Sequence, residues 1–467
     1  MKFKKIVTMC IVGILGLQML CGCGNGQGND TEVANSSTGN ESENNSGNGT
    51  ESTKKEGFTE HIYDMGGKTI VIADANWIGG DASTPEKQFC AKVLEEIEKD
   101  YNCNIEVIAP NMSTLEQDIT TAAAGGKVFA NIINFQAEFN SIYDSGIIAE
   151  VSTIENLGLD TNAWLEASSG FGTRNGIQYG VGFMQQQCQS LNLNVIAFNK
   201  DLAAQYGIED MYELVRNGEW TFEKFEEICQ TITTKSNGTV KGMINGYMCM
   251  GFFGLANDVD LITLKDGKYT YNGMDDKMLN ALQFCQDFHK KGLYPSEYYF
   301  GQDYGLTESN VFMDRKTLFH LSDYWVVSEV FAMGMPDDYG ILPYPKGPDA
   351  EDYVGIATNA RNYCFIKGDP DIEDAAAILV ALANRTSLTM DEWVQQHLET
   401  TLRDDESGEM LSIMVENIVS CNEMNILGEQ WNENVRNCIY ALSLTPKQAM
   451  EQAQQTAQDE INKFYKQ

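Results

Sequence analysis

The sequence predicts an α/β fold with two domains. β-branched runs that are typical of buried strands alternate with segments of helical apolar spacing, a pattern that indicates βαβ units and largely parallel sheets. The roughly 410 residues after position 57 exceed what one hydrophobic core usually supports, so a second domain is expected. No internal repeat is present, which excludes a solenoid.

Strand and helix signals alternate along the chain. Residues 68–73 predict a strand, and Thr84 with Pro85 then supplies the N-cap and first position of a helix. Ser113 and Glu116 have the spacing of a capping box. Further strands are predicted at 104–109, 128–135, 193–198, 317–321 and 339–342. Further helices are predicted at 113–124, within 142–151, at 201–206, from 222, at 369–383 and from 446.

The N-terminus has the features of an exported lipoprotein. Three lysines precede an apolar stretch at 6–20, which is too short for a stable membrane span. Residues 20–23 (LCGC) resemble the bacterial lipobox, with Cys23 as the lipid acceptor because the small Gly22 precedes it. We therefore expect a signal peptide at 1–22 and attachment to the extracellular face of the cell membrane through lipid on Cys23. The alternative is an ordinary secretory signal with incidental cysteines.

The segment at 23–57 is expected to be a disordered tether. Gly, Asn, Ser and Glu dominate it, and it contains almost no apolar residue that could offset the entropy of ordering the chain. A coil of this kind would hold the folded part away from the bilayer while leaving it free to rotate.

The composition is strongly acidic, with a net charge of −35. This charge argues against nucleic acid and against an anionic headgroup surface as partners, because both would be repelled. It places no constraint on a neutral ligand.

Nine cysteines follow Cys23, an odd number without CxxC or Cys/His metal spacing. Several occupy apolar helical positions, such as Cys229. We interpret them as buried small hydrophobes in preference to a disulfide framework, and we expect neither a metal site nor a cofactor.

Motifs of catalysis are missing from the sequence. It contains no GxSxG elbow, no GxxxxGK[ST] loop and no strand–GxGxxG–helix unit. A pair of glycosidase carboxylates could arise among the many acidic residues, but no spacing nominates one. We therefore expect a protein that is not an enzyme.

Several segments resemble motifs of one family in the family's order. They are 146–151 (GIIAEV), 176–181 (GIQYGV), 193–202 (LNVIAFNKDL), 219–225 (EWTFEKF), 312–325 (FMDRKTLFHLSDYW) and 339–348 (YGILPYPKGP). Together they resemble the extracellular solute-binding proteins of ABC importers, and most closely the carbohydrate-binding family that includes maltose-binding protein. Gly182 departs from the family pattern, which has proline there.

The resemblance implies a two-lobed periplasmic-binding-protein fold (type II), with a ligand cleft between lobes joined by crossing segments. Lobe 1 would comprise 58–187 and 356–422, and lobe 2 would comprise 188–355 and 423–467. The crossings would lie near Gln187, Gly355 and Asn422. Lobe closure would bury a ligand and create a shape that a permease distinguishes.

The resemblance also implies ligand-binding aromatic residues. Trp325 and Trp431 match family positions whose rings stack on sugars, and core packing is the alternative for any single tryptophan. Trp77 follows the first strand, at the sheet edge where open α/β folds bind ligands.

Polar candidates for the cleft come from the same alignment of motifs. Gln136 and Glu138 follow the third strand, and Gln187 lies in the first crossing. Asp323 and Tyr324 adjoin Trp325. A phosphate or amino-acid ligand would instead call for arginine, for which Arg174 and Arg361 are loosely placed candidates.

The expected function is that of a lipid-anchored, monomeric solute-binding subunit of an ABC importer. It would capture a mono- or oligosaccharide by lobe closure and deliver it to a permease. Because the family also binds polyamines, iron and other solutes, the ligand class follows less directly than the fold. The alternatives are a surface-anchored glycan hydrolase and a ligand receptor for a sensor kinase.

Overall fold

A computed structural model describes residues 52–55, 57–74, 85–135, 140–184, 191–245, 249–295 and 306–467. Its strands are β1 (Ser52–Lys55), β2 (Phe58–His61), β3 (Thr69–Ala73), β4 (Asn104–Ile108), β5 (Ile132–Phe135), β6 (Thr173–Arg174), β7 (Ile177–Gln178), β8 (Gly180–Val181), β9 (Leu191–Asn199), β10 (Lys241–Asn245), β11 (Ile262–Lys265), β12 (Lys268–Tyr271), β13 (Thr317–Asp323), β14 (Tyr339–Leu342), β15 (Gly355–Ala360), β16 (Asn362–Cys364) and β17 (Ile418–Ser420).

The α-helices are α1 (Pro85–Tyr101), α2 (Leu115–Ala124), α3 (Asn140–Tyr143), α4 (Glu166–Phe171), α5 (Lys200–Gln205), α6 (Met211–Arg216), α7 (Phe222–Lys235), α8 (Asp276–Lys290), α9 (Leu306–Met313), α10 (Tyr324–Val326), α11 (Ala332–Gly334), α12 (Ile372–Thr386), α13 (Met390–Thr400), α14 (Asp405–Glu416), α15 (Asn422–Ile439) and α16 (Pro446–Tyr465). None of these helices is long and apolar enough to cross a bilayer.

The first sheet has the strand order β4-β3-β5-β16-β8. β3 is parallel to β4 and β5, whereas β16 is antiparallel to β5 and β8. Alternate residues of β3 serve opposite faces: Ile70 and Ile72 pack into the core formed with α1 and α12, and Ala73 packs with α2. Because β3 and β5 are parallel, their carboxyl ends lie on the same edge of the sheet.

The second sheet has the order β10-β13-β9-β15-β17, and β14 also pairs with β9. β10 and β13 are parallel, but β9 is antiparallel to β13, β14 and β15. The sheet departs from the expected parallel arrangement at β9 alone, because the other five strands share one direction. The direction of β9 follows from the chain path, because β9 enters from the first sheet and begins at the edge where β13 ends, with Asn194 opposite Asp323.

Two of the three connections between the sheets differ in place from the sequence-based expectation. The first lies between β8 and β9, which brackets Gln187. The second does not lie near Gly355, because β15 pairs with β9 as far as Ala360 and β16 begins at Asn362. The chain therefore crosses at Arg361.

The third connection lies earlier than Asn422. Helix α12 packs into the core of the first sheet, whereas α13 and α14 contribute Trp393 and Met410 to the core of the second. The backbone N–H of Leu388, between α12 and α13, donates to the Met184 carbonyl oxygen at 2.9 Å. Residues 390–420 thus belong with the second sheet, since their apolar faces are buried there.

Local signals at helix starts are mostly confirmed. α1 begins at Pro85, α7 follows the N-cap Thr221, and α16 begins at Pro446 behind a capping box. The capping box expected at Ser113 is not formed, because the Ser113 N–H donates to Asn111 Oδ1 in a turn and α2 begins two residues later.

The side chains of seven of the nine cysteines after Cys23 are described, and all seven are buried and free: Cys90, Cys103, Cys229, Cys285, Cys364, Cys421 and Cys438. Burial raises the pKa of Cys364 to about 12, which keeps the thiol neutral. Their interpretation as small hydrophobes is confirmed for these positions.

His320 makes the core of the second sheet sensitive to acid. The side chain is 1% exposed, and neither ring nitrogen has a hydrogen-bond partner among the described residues. Its ring lies 5.7 Å from that of Phe312 and 5.2 Å from that of Phe331. Burial lowers the pKa of His320 to about 3, so the folded protein keeps this imidazole neutral.

We expect His320→Phe to reduce the amount by which acid lowers the free energy of unfolding. The unfolded chain takes up a proton near pH 6.5 and the fold does not, so stability present above pH 6.5 falls as the pH drops towards 3. At pH 5.5 the loss from this site is about 1.4 kcal/mol relative to pH 7.5. Urea unfolding at both values measures it. Substitution of the exposed His61 by glutamine is the control, and an equal acid effect in both variants would contradict the assignment.

Candidate ligand-binding site

Polar side chains cluster at the edge of the second sheet where β13 ends and β9 begins. Asp323 Oδ1 accepts hydrogen bonds from Asn194 Nδ2 and Thr358 Oγ1, each at 3.0 Å. Asn192 Nδ2 donates to Thr358 Oγ1 at 3.1 Å. Asn192 Oδ1 accepts the backbone N–H of Trp325 at 3.4 Å. We call these five residues the amide edge.

The amide edge combines exposure with order. Asn192, Asp323, Trp325 and Thr358 are half-buried, whereas Asn194 is fully buried and accepts a 2.6 Å hydrogen bond from the Tyr344 hydroxyl. Three strands supply the polar groups, and Trp325 lies in α10, which continues into a π-helical turn at Val327–Phe331. π-Helical turns frequently occur at functional sites.

Two opposing effects act on the pKa of Asp323. Burial, the larger effect, raises the pKa of this carboxyl above its ordinary value. Hydrogen bonds from Asn194 Nδ2 and Thr358 Oγ1 favour the charged form, and the side chains of Asn192 and Trp325 also act to lower the pKa, so the rise is limited. The carboxylate thus depends on these donors for its charge.

A second polar cluster lies where the chain crosses from β15 to β16. Asp74 follows β3 and is 1% exposed; its Oδ2 accepts hydrogen bonds from Asn134 Nδ2 at 2.9 Å and from the Tyr363 hydroxyl at 3.4 Å. The Arg361 guanidinium, also buried, lies 3.5 Å from Asp74 Oδ1. We call these four residues the crossing cluster.

The two clusters share one connection between the sheets, and the backbone is tightly packed there. Thr358 of the amide edge and Arg361 of the crossing cluster are three residues apart on the same connection. A Cβ at Gly182 would lie 2.4 Å from the Arg361 carbonyl oxygen and 2.2 Å from Ser168 Oγ. Glycine is therefore required at this position, where the family motif has proline.

The structure separates the predicted site residues into two groups. Trp325 and Asp323 lie together in the amide edge. Tyr324, which is 4% exposed, points instead into the core, with its ring 4.7 Å from that of His397. Its expected role in the cleft is corrected, because a buried ring between helices has no face for a ligand.

Trp431 requires the same correction. It is 0% exposed and lies among residues of α15 and α16 in the core of the second sheet. Its indole Nε1 donates to the Tyr271 hydroxyl at 3.1 Å, so both the ring and its polar atom are satisfied inside the protein. Core packing was the alternative stated for any single tryptophan, and the structure shows core packing for Trp431.

Four predicted ligand contacts and the lipid acceptor lie outside the described residues. They are Trp77, Gln136, Glu138, Gln187 and Cys23. The structure does describe the residues that directly precede the segments containing the four ligand contacts, namely Asp74, Phe135 and Met184. These five assignments stay predictions.

Sequence reasoning missed most of the amide edge. Asn192, Asn194 and Thr358 were not nominated, although polar residues in β-branched strands that lead into and out of a crossing are an available signal. Arg174, one of the two arginine candidates, is paired elsewhere: it lies 2.7 Å from Asp144 Oδ2 and 3.6 Å from the Phe464 ring centre.

A cavity of about 430 Å³ lies beside the first and third crossings. Its lining is Phe58, Ala163, Trp164, Leu165, Glu166, Met184, Ser387, Leu388, Thr389 and Glu392. None of these residues belongs to the amide edge or the crossing cluster. The mostly apolar lining does not suit a strongly polar solute, so we do not place the ligand there.

Sequence comparison identifies the family. Residues 92–398 match the bacterial extracellular solute-binding proteins over more than half of the chain. The chain belongs to the bacterial extracellular solute-binding protein family. This membership confirms the family that the motifs in the sequence resemble. No curated protein is significantly similar in sequence to this solute-binding protein.

Solved structures of other solute-binding proteins share the fold. The cyclic α-maltosyl-1,6-maltose binding protein of Arthrobacter globiformis is 16% identical with a TM-score of 0.63, covering 85% of this chain and 100% of its own. The GacH receptor of Streptomyces glaucescens, solved unliganded and with acarbose, is 15% identical with a TM-score of 0.60, covering 86% and 99%.

A third relative extends the comparison to another organism. The extracellular solute-binding protein of Staphylococcus aureus, solved in complex with maltose, is 14% identical with a TM-score of 0.59, covering 84% of this chain and 98% of its own. These similarities confirm the two-lobed periplasmic-binding-protein fold, with each of the two sheets described above at the centre of one lobe.

Proposed function

We propose that this solute-binding protein captures a mono- or oligosaccharide between its lobes and delivers it to an ABC permease. The observation that carries the proposal is the amide edge, in which a half-buried tryptophan lies beside two half-buried neutral polar side chains and one carboxylate. The edge lies next to the crossing at Arg361, where ligand buried by lobe closure would be held.

The chemistry of the amide edge suits a neutral polyhydroxy ligand. Sugar hydroxyls both donate and accept hydrogen bonds, and amide and carboxylate groups complement them in fixed planes. The apolar C–H face of a sugar ring packs on an aromatic ring such as Trp325. The guanidinium of Arg361 lies 3.5 Å from Asp74 Oδ1, so its charge is already balanced and does not call for an anionic ligand.

The comparisons support the same ligand class. The relatives above are described with maltose, with acarbose or as binding a cyclic maltosyl-maltose. Their identities are too low to transfer a particular sugar. We therefore propose the class, and we extend it to neither a chain length nor a linkage.

Trp325→Ala tests the site, and we expect it to weaken sugar binding by about 30- to 1,000-fold, or 2–4 kcal/mol. A thermal-shift panel of maltose, maltotriose, acarbose, spermidine and amino acids on residues 52–467 would first identify a ligand. The fragment begins at residue 52 because β1, within the segment expected to be a disordered tether, pairs with β2. Titration calorimetry with that ligand then gives Kd for the variant.

The matched control is Trp164→Ala. Trp164 is also half-buried, but its indole bonds the Leu157 carbonyl oxygen and its ring packs on Phe58, in the first lobe. We expect this control to lose stability and keep its affinity. Unchanged affinity in Trp325→Ala, or binding of spermidine or amino acids alone from the panel, would overturn the proposed site.

We further propose that lipid on Cys23 anchors the protein to the extracellular face of the cell membrane. Cys23→Ser is expected to move the protein from the membrane fraction to the medium or periplasm, because a multiply acylated cysteine contributes about 0.8 kcal/mol per buried CH₂ and serine accepts no thioether lipid. Fractionation and mass spectrometry of the mature N-terminus measure the change. Retention of the serine variant at the membrane would contradict the anchor.

A further inference from the structure

We propose that Asp323 is a positioning residue for ligand binding: its carboxylate holds Trp325 and Asn192 in place, and its protonation weakens the cleft's grip on the solute. This inference rests on the proposed function for its ligand, and it adds regulation by pH to the same site. It does not require Asp323 to touch the sugar.

The hydrogen bonds of the amide edge converge on one carboxylate. Asn194 Nδ2 and Thr358 Oγ1 both donate to Asp323 Oδ1 at 3.0 Å. Thr358 Oγ1 in turn accepts from Asn192 Nδ2 at 3.1 Å. The three strands β9, β13 and β15 therefore meet at Asp323, and the half-buried Asn192 is reached through Thr358.

A buried hydrogen bond to Asn194 fixes the direction of these bonds. The Tyr344 hydroxyl, which is 1% exposed, donates to Asn194 Oδ1 at 2.6 Å. This bond orients the Asn194 amide so that its NH₂ group faces Asp323. An ionised carboxylate accepts such donors, whereas a protonated one has an O–H of its own to place against them.

Trp325 depends on the same group through two routes. Its backbone N–H donates to Asn192 Oδ1 at 3.4 Å, and Asn192 is linked to Asp323 through Thr358. Its side chain is also among the groups that lower the pKa of Asp323. We expect loss of the charge to loosen this chain of hydrogen bonds and, with it, the position of Trp325.

Cys421 and His320, the titratable neighbours of Asp323, keep their charge state between pH 7.5 and 4.5. Cys421, at the start of α15, interacts electrostatically with Asp323, but burial raises the pKa of its thiol to about 12 and it stays neutral. On β13 itself, burial lowers the pKa of His320 to about 3. The side chains that β9 contributes here, Asn192 and Asn194, are uncharged amides. Arg361, which follows β15 in the chain, pairs with Asp74.

The sign of the pH effect follows from this geometry. Burial raises the pKa of Asp323, so protonation begins at a higher pH than for an exposed aspartate. Because the ionised form holds the binding arrangement, affinity is expected to fall as the pH decreases from 7.5 towards 4.5. The isosteric variant Asp323→Asn removes the charge at every pH.

The first experiment follows tryptophan fluorescence of the ligand-free protein between pH 7.5 and 4.5. We expect a transition in the parent protein that disappears in both Asp323→Asn and Trp325→Phe. Asp266→Asn is the matched control, because Asp266 is an exposed aspartate in the β11–β12 turn of the same lobe. A transition that persists in Asp323→Asn, or is missing from the parent protein, overturns the inference.

The second experiment measures Kd for maltotriose by calorimetry at pH 7.5 and 5. We expect Asp323→Asn to bind about 10- to 100-fold more weakly at pH 7.5, the range for a lost charge-assisted hydrogen bond, and to lose the pH dependence of the parent. A pH dependence that Asp323→Asn retains contradicts the inference. If spermidine or an amino acid binds the parent and none of the sugars of the panel does, while the fluorescence transition is present, the ligand proposal fails and the positioning role of Asp323 stands.

Discussion

Replacing Trp431 by alanine is expected to lower the free energy of unfolding by about 3–5 kcal/mol, with little change in ligand affinity of the folded fraction. The ring is 0% exposed in the core of the second sheet, so its loss removes a large apolar surface and leaves a cavity. It also removes the donor to the Tyr271 hydroxyl, which accepts the indole N–H at 3.1 Å and keeps its own bond to Met450 Sδ. Urea unfolding and calorimetry on the same sample measure the two quantities.

Two further variants apportion the effect at Trp431. Trp431→Phe keeps most of the apolar volume, so we expect a smaller loss. Tyr271→Phe keeps the Tyr271 ring and removes the hydroxyl that bonds both the indole N–H and Met450 Sδ. Trp325→Ala provides the contrast, with a large loss of affinity and a small loss of stability. A Trp431→Ala variant that is stable but no longer binds sugar would return Trp431 to the ligand site.

The sequence-based predictions were most accurate for features that depend on one strand or one helix alone. The apolar face of α7, with Phe222, Phe225 and Ile232, is buried as its spacing indicates, and β14 has the predicted bounds. Thr445 and Pro446 mark the start of α16 because a cap is a local interaction. Such signals need no knowledge of the rest of the chain.

Predictions that depend on tertiary partners were less accurate. The strand expected at 128–135 is restricted to Ile132–Phe135, because Asn131 Oδ1 takes the place of a backbone acceptor and bonds the Val71 N–H at 2.8 Å. The second crossing lies at Arg361 because β15 finds partners on both sides in the second sheet. Neither pairing can be read from local sequence.

The candidate site shows the same division. A family motif nominated Trp325 and Asp323, but matching a family position could not distinguish the half-buried Trp325 from the fully buried Trp431. Asn192, Asn194 and Thr358 come from strands far apart in the sequence, and only the antiparallel register of β9 with β13 and β15 brings them to one carboxylate.

The buried pair of the crossing cluster should also be costly to break. We expect Asp74→Ala to lower the free energy of unfolding by about 3–5 kcal/mol, because it leaves the buried Arg361 guanidinium without the carboxylate 3.5 Å away. The variant also removes the acceptor of the Asn134 and Tyr363 side chains. Unfolding by urea at pH 7.5 measures the loss.

A double variant distinguishes an uncompensated charge from simple loss of packing. Asp74→Leu combined with Arg361→Met removes both charges, and we expect it to recover most of the stability, since apolar replacement of a buried ion pair is often neutral. The control is Glu96→Gln in the exposed pair with Lys92, 3.8 Å apart on α1, for which we expect a loss below about 0.5 kcal/mol. If Asp74→Ala costs no more than this control, water reaches Arg361 and the crossing cluster is not a closed structural pair. If the double variant is as unstable as Asp74→Ala, packing at the crossing, and not the unpaired charge, sets the loss.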